Sequence, residues 1–187
     1  MLYIDTSVLL VYTLTQAVET ERVPATASFF RQITAGSLLG ATSFYALQEV
    51  HIFAIENAPD FPTGAAYGKT ALEKILALPL LLVPLVSRTE RKVYATKFTA
   101  LRDATDLPHA IAAAVYGCDT IVAYDEHFRS LIFSPTRPQK IFSDSFLRSL
   151  AFASSPLVRR AHPTPLSTLH SSLCTLFPPL APPWQLR

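Results

Sequence analysis

The chain has 187 residues, of which 50% are hydrophobic and 16% are charged. That length is typical of one domain with a sizeable core, and the composition favours an α/β protein whose central strands are covered on both faces. The net charge of +2 excludes the strongly basic class of nucleic-acid binders, and two cysteines are too few for a disulfide framework.

Apolar runs and helical periodicity alternate along the chain. They predict these elements, in order: a strand over 2–4, a helix after Asp5, a helix over 22–35, a strand over 38–42, a helix over 44–56, a helix over 70–77, a strand over 80–83, a polar helix over 87–101, a helix from Asp106 to Gly117, a strand over 120–123, a strand over 140–142 and a closing helix from Ser143. Such alternation predicts a parallel sheet with right-handed crossovers.

Local start and stop signals refine these elements. Thr6 and Ser7 can cap the first helix, and Ser43 can cap the helix over 44–56. The stretch 57–68 contains two prolines and two glycines and is interpreted as a loop. Phe29, Phe30 and Ile33 are predicted to lie in the core. The helix over 44–56 is predicted to carry a broad apolar surface, formed by Phe44, Leu47, Val50, Ile52, Phe53 and Ala54.

Carboxylates follow the predicted strands at a recurring place. Asp5 ends the first strand, Asp125 follows the strand over 120–123, and Asp106 opens the helix before it. Ligands of open parallel sheets bind beyond the carboxyl ends of the strands, so we expect these side chains to share one cleft. Glu49 stands alone in an otherwise uncharged helix, and a carboxylate there needs a partner unless it lies on a solvated face.

Four converging acids repel one another unless they hold a proton or bind cations. An all-oxygen set suits Mg²⁺ or Mn²⁺, and the lack of a His/Cys cluster argues against zinc. For Asp5, Thr6 and Ser7, helix capping alone is the competing interpretation. The sequence therefore predicts a site for a hard dication, with Asp5, Glu49, Asp106 and Asp125 as ligands.

Four segments, IDTSVLL, TSFYALQEV, TDLPHAIAAAVYGCDTIVAYDEHF and KIFSDSFL, together resemble the PIN domain family, in particular the VapC-type toxin ribonucleases. The resemblance covers residues 1–150. It implies a three-layer α/β/α fold with a parallel sheet of about five strands, and a Mg²⁺- or Mn²⁺-dependent endoribonuclease. Asp5, Glu49, Asp106 and Asp125 match the family's acidic positions, and Ser7 matches a supporting polar position.

Two departures from the family pattern concern the site. The family often has Thr or Ser where this chain has Ala123, and Asp103 is an extra acid that could take the role of Asp106. We prefer Asp106, because the helix and the spacing to Asp125 follow it. Basic residues near these acids are predicted to orient the RNA backbone: Arg91, Lys92, Arg102 and Arg129.

The toxin resemblance implies an RNA substrate, a small antitoxin protein that covers the acidic cleft, and self-association as a homodimer. We expect a cytoplasmic location and no membrane, since no basic segment precedes an apolar one near Met1 and no run approaches ~18 apolar residues. Residues 151–187, which are rich in proline and carry no acid, are predicted to form a disordered or loosely docked tail.

Two other functions compete with the nuclease. A phosphohydrolase of the haloacid dehalogenase type also begins with a strand ending in Asp, but that chemistry needs a second Asp where this chain has Ser7. A catalytically inactive PIN-like module that binds RNA or protein is the other alternative. A thermal shift dependent on Mg²⁺ or Mn²⁺ separates an intact site from a degenerate one.

Overall fold

The computed structural model describes residues 1–99, 101 and 103–125. Within this part of the chain, four strands and six helices follow one another in the predicted order: β1 Leu2–Ile4, α1 Thr6–Thr13, α2 Val23–Thr34, β2 Gly40–Ser43, α3 Phe44–Glu56, α4 Phe61–Leu76, β3 Leu81–Val83, α5 Arg88–Ala95, α6 Leu107–Val115 and β4 Thr120–Val122. The strand predicted over 140–142, the closing helix and the tail over 151–187 lie outside the described residues.

The strands form one parallel sheet in the order β3-β2-β1-β4. Tyr3 in β1 pairs with Ala41 on one side and with Ile121 on the other. The predicted α/β class with a parallel sheet is therefore confirmed. Because β2 and β3 add to one side of β1 and β4 adds to the other, the carboxyl ends of β1 and β4 flank the point where the strand order reverses. Such a point forms a crevice in open α/β sheets.

Helices cover both faces of the sheet. Ile4 points to the face covered by α1 to α4, where Phe29, Phe30 and Ile75 are fully buried. Tyr3 points to the opposite face, covered by α5 and α6, because successive strand residues alternate in direction. The arrangement is consistent with a three-layer α/β/α fold, and Phe29, Phe30 and Ile33 lie in the core as predicted.

Helix ends explain how the chain turns at the sheet edge. Asp5, rather than Thr6 or Ser7, is the N-cap of α1: its carboxylate accepts a hydrogen bond from the Ser7 backbone N–H. Ser43 caps α3 as predicted, by accepting from the Ala46 N–H. Gly117 has a φ of +64° just after α6, a left-handed conformation that favours glycine at a helix end.

The loop predicted over 57–68 is confirmed for residues 57–60 and wrong for 61–68, because α4 begins at Phe61. Asp60 caps this helix by accepting from the Thr63 N–H, and a proline in the first turn of a helix lacks only an N–H that has no intrahelical partner. A Cβ added to Gly64 would lie 2.6 Å from the Ile55 Cα. The glycines that suggested a loop therefore allow α4 to approach α3 closely.

Other boundaries differ less from the predictions. Helix α5 ends at Ala95 instead of residue 101, and β2 begins two residues later than predicted. Of the predicted apolar surface on α3, Leu47, Val50 and Ala54 are buried, whereas Phe44 and Ile52 are 49% and 41% exposed. Among the described residues, no helix combines the length and the apolar character needed to cross a membrane.

Candidate functional site

The predicted acids lie where strands and helices meet at the carboxyl edge of the sheet. Asp5 directly follows β1, and Asp125 lies three residues beyond the end of β4. Asp106 directly precedes α6, and Glu49 lies in the second turn of α3, the helix that follows β2. Two strand ends and two helices therefore deliver these four side chains from distant parts of the sequence.

His109, on α6, lies between three of these acids. Its Nε2 is 2.9 Å from Oε2 of Glu49, and its Nδ1 is 3.9 Å from Oδ1 of Asp5. Asp106 precedes His109 by three residues, so the two share one side of α6. The His109 side chain is 3% exposed and that of Glu49 is 38% exposed, which places the carboxylate of Glu49 at the rim.

The charges around His109 and Glu49 act on both groups. Burial lowers the pKa of His109, but the hydrogen bond to Glu49 and the negative charges of Asp5, Glu49 and Asp106 outweigh burial and raise it above its usual value. Burial raises the pKa of Glu49, but the hydrogen bonds from His109 and Thr6 and the charge of His109 lower it overall. Both shifts favour an imidazolium paired with a carboxylate.

Tyr3 connects His109 to the second strand. Its hydroxyl lies 2.8 Å from His109 Nδ1 and 2.6 Å from Ser43 Oγ, and all three groups are buried. Burial raises the pKa of Tyr3 far above its usual range, so the hydroxyl keeps its proton. A hydrogen-bonded chain therefore runs from the N-cap of α3 through β1 to α6 and Glu49.

Ser7 holds Asp5 in a second network. Its hydroxyl donates to Oδ2 of Asp5 over 2.7 Å and accepts from the Tyr124 backbone N–H over 3.0 Å. The backbone N–H of Ser7 also donates to Oδ2 of Asp5, over 3.0 Å. The predicted supporting residue thus contacts Asp5 and ties the end of β1 to the segment after β4.

Of the remaining predicted residues that the structure describes, three are exposed and one lies in a local turn. Asp125 is exposed. The carboxylate of Asp103 accepts from the N–H and hydroxyl of Thr105, both over 2.8 Å, in a local turn. Arg91 and Lys92 are exposed on α5, whereas Arg102 and Arg129 lie outside the described residues. The structure thus brings Asp5, Glu49 and Asp106 around His109 and leaves Asp103 in a turn of its own.

A metal centre needs several ligands at once. In the part of the chain that the structure describes, no group of three or more His, Cys, Asp or Glu side chains has the spacing of such a centre. The donor type is nonetheless that of a hard dication, since Asp5, Glu49, Asp106 and Asp125 supply carboxylate oxygens. The chemistry of the donors therefore fits Mg²⁺ or Mn²⁺.

Sequence reasoning missed His109, Tyr3 and Thr6. For His109 one signal was available: it is a lone polar residue in the apolar segment LPHAIAAAV, three positions after Asp106 on the same helix face. Comparisons with protein-family models, with curated proteins and with solved structures give no match for this chain. The resemblance to the PIN family therefore stays a prediction based on the quoted motifs.

Proposed function

We propose that this protein is a divalent-metal-dependent endoribonuclease that hydrolyses RNA phosphodiester bonds, with a body of the PIN type. One observation carries the proposal: Asp5, Glu49 and Asp106, from separate elements, surround a single buried histidine at the carboxyl edge of the sheet. That edge adjoins the point where the strand order reverses, which is the usual ligand site of such sheets.

The ligands of the dication would be Asp5, Glu49, Asp106 and Asp125. A bound Mg²⁺ or Mn²⁺ supplies a water of lowered pKa and offsets negative charge that develops on the phosphate. The chain itself orients the carboxylates: Ser7 holds Asp5, and Thr6 and His109 hold Glu49.

Positive charge for the RNA backbone would come from α5. Arg91 and Lys92 are exposed on this helix, which packs against α6, the helix that carries His109. Arg102 and Arg129, which lie outside the described residues, are also proposed to contact the RNA backbone. Contacts of this kind are independent of base sequence and weaken as salt increases.

The test is an RNA cleavage assay of the full chain with Mg²⁺, with Mn²⁺ and with a chelator. We expect cleavage by the wild type with either ion, and loss of cleavage in Asp5→Asn, in Asp106→Asn and on chelation. Asp60→Asn is the matched control, because Asp60 is an exposed acid that caps α4. Cleavage that survives both site substitutions and chelation would contradict the proposal.

The resemblance to VapC-type toxins also implies a biological role. We propose that the chain is the toxin of a toxin–antitoxin pair, that a small antitoxin covers the acidic cleft, and that the chain forms a homodimer. A neighbouring reading frame that encodes a small protein able to suppress cleavage would support the first two statements. Sedimentation of the isolated chain tests the third.

A catalytically inactive module that binds RNA or protein is the second candidate. Two observations favour it. Ala123 stands where the PIN family often has a hydroxyl residue, and within residues 1–99, 101 and 103–125 no three His, Cys, Asp or Glu side chains are close enough together to hold a metal ion. For this candidate, Mn²⁺ produces no thermal shift. For the nuclease, Mn²⁺ raises the melting temperature as a ligand of the native state does.

A further inference from the structure

The carboxylate of Glu49 is held through one of its two oxygens. Oε2 accepts hydrogen bonds from the Thr6 hydroxyl and from His109 Nε2, the latter over 2.9 Å. Within the described residues no hydrogen bond to Oε1 is found, and the side chain lies at the rim of the site. The two oxygens of Glu49 therefore differ: Oε2 is held by the protein, whereas Oε1 accepts no hydrogen bond from the described residues.

The direction of the hydrogen bonds follows from the chemistry of the groups. An ionised carboxylate only accepts, so Nε2 of His109 carries a proton and donates it to Glu49. Nδ1 then faces the Tyr3 hydroxyl, which in turn faces the hydroxyl of Ser43. Partners on both ring nitrogens fix the imidazole ring: the rim carboxylate of Glu49 at Nε2 and the buried hydroxyl of Tyr3 at Nδ1.

We propose that His109 is a positioning residue that fixes the carboxylate of Glu49, so that Oε1 is the oxygen offered to the dication. This inference rests on the proposed function. Partners that orient a metal ligand in this way usually contribute to metal affinity, although they do not touch the ion. His109 thus explains why a carboxylate on a helix of the opposite layer is held at the edge of the sheet.

The test is Mn²⁺ binding, followed by the electron paramagnetic resonance of the free ion, with the full-length wild type and two variants. The amide nitrogen of glutamine can take the place of Nε2, whereas that of asparagine can take only the place of Nδ1. We therefore expect His109→Gln to bind Mn²⁺ almost as the wild type does. His109→Asn is expected to bind about 10- to 100-fold more weakly.

The two variants separate positioning from packing. If His109 acted only as a buried spacer, both substitutions would weaken Mn²⁺ binding to the same extent, and that result would overturn the inference. Unchanged binding by His109→Asn would also overturn it while leaving the proposed function intact. A wild type that binds no Mn²⁺ would overturn both the function and the inference.

A second measurement covers the case in which His109→Asn does not fold. Two-bond ¹H–¹⁵N correlation spectra of the metal-free wild type report which imidazole nitrogen carries a proton. We expect a proton on Nε2 of His109 and its signal to shift in Glu49→Gln. A bare Nε2 would overturn the inference without any use of metal or RNA.

Discussion

The hydroxyl of Ser7 accepts a hydrogen bond from the Tyr124 backbone N–H over 3.0 Å, and this bond joins the first turn of α1, just after β1, to the segment after β4. The same hydroxyl donates to Asp5 over 2.7 Å. The Ser7 hydroxyl that helps to orient Asp5 is therefore itself held by the segment after β4, whereas the Ser7 N–H contacts Asp5 within the first turn of α1. The geometry of the site thus depends on the parallel pairing of these two strands.

Ser7→Ala tests this dependence. The substitution removes the acceptor of the Tyr124 N–H and one donor to Asp5. We expect it to lower the free energy of unfolding by about 1–3 kcal/mol, the usual cost of losing a partner of a buried polar group. Thermal unfolding measures the loss, and Ser37→Ala, in an exposed loop, is the control. Equal melting temperatures of the two variants would contradict the account.

The contact between α3 and α4 gives a second prediction. A Cβ at residue 64 would lie 2.6 Å from the Ile55 Cα and 2.9 Å from the Ala54 carbonyl oxygen, so backbone must move. At residue 68 the nearest atoms belong to the His51 side chain, which can rotate away.

We expect Gly64→Ala to be destabilising by about 1–3 kcal/mol, as overpacking usually is. The free energy of unfolding of Gly68→Ala should lie within about 1 kcal/mol of the wild-type value. Alanine favours the helix by about that amount, and this gain offsets the cost of moving the His51 side chain. Chemical denaturation measures both variants. A Gly68→Ala variant less stable than Gly64→Ala would contradict this view of the helix contact.

The basic residues of α5 provide a third prediction. The double variant Arg91→Gln, Lys92→Gln should bind single-stranded RNA more weakly than the wild type. The slope of the logarithm of the binding constant against the logarithm of salt concentration should fall in magnitude by about 1.4, since each lost phosphate contact accounts for about 0.7. The measurement is fluorescence anisotropy over a range of salt concentrations, with chelator present to prevent cleavage. Lys69→Gln with Lys74→Gln on α4, in the opposite layer, is the control. An equal effect of the two pairs would exclude α5 as the RNA surface.

The two neighbouring acids before α6 can be separated by a fourth experiment. Asp103 lies in a turn with Thr105, and an asparagine side-chain oxygen can accept the same two hydrogen bonds. Asp106 is buried, and its charge acts on His109. We expect Asp103→Asn to cleave RNA at nearly the wild-type rate and Asp106→Asn to be inactive. The reverse order would assign the role of Asp106 to Asp103.

The sequence predicted the fold better than the details of the site. Strands β1, β3 and β4 are short, mostly apolar runs with clear stop signals, and β2 follows the apolar pair Leu38 and Leu39; such runs need no distant contact to be recognised. The first half of α4 was missed because Pro62, Gly64 and Gly68 are typical of loops when taken alone. Their function in the helix depends on α3, which the local sequence cannot show.

The role of His109 could not be predicted in the same way. Its partners Tyr3, Glu49 and Asp5 are separated from it by 106, 60 and 104 positions, and only the sheet order brings them together. The four acids were accessible to sequence reasoning because each stands beside a strand end, at a helix start or alone in an apolar helix. A histidine among apolar residues gives no such signal about the direction of its side chain.

The proposed function depends on binding of a dication by the carboxylates of Asp5, Glu49, Asp106 and Asp125. The most direct measurement is an anomalous difference map, recorded near the manganese absorption edge, from crystals of the full chain soaked with Mn²⁺. We predict a peak in contact with the carboxylates of Asp5 and Asp106, with Glu49 directly or through water. A map without a peak at this edge of the sheet, from crystals in which Asp5 and Glu49 still contact Ser7 and His109, would contradict the account.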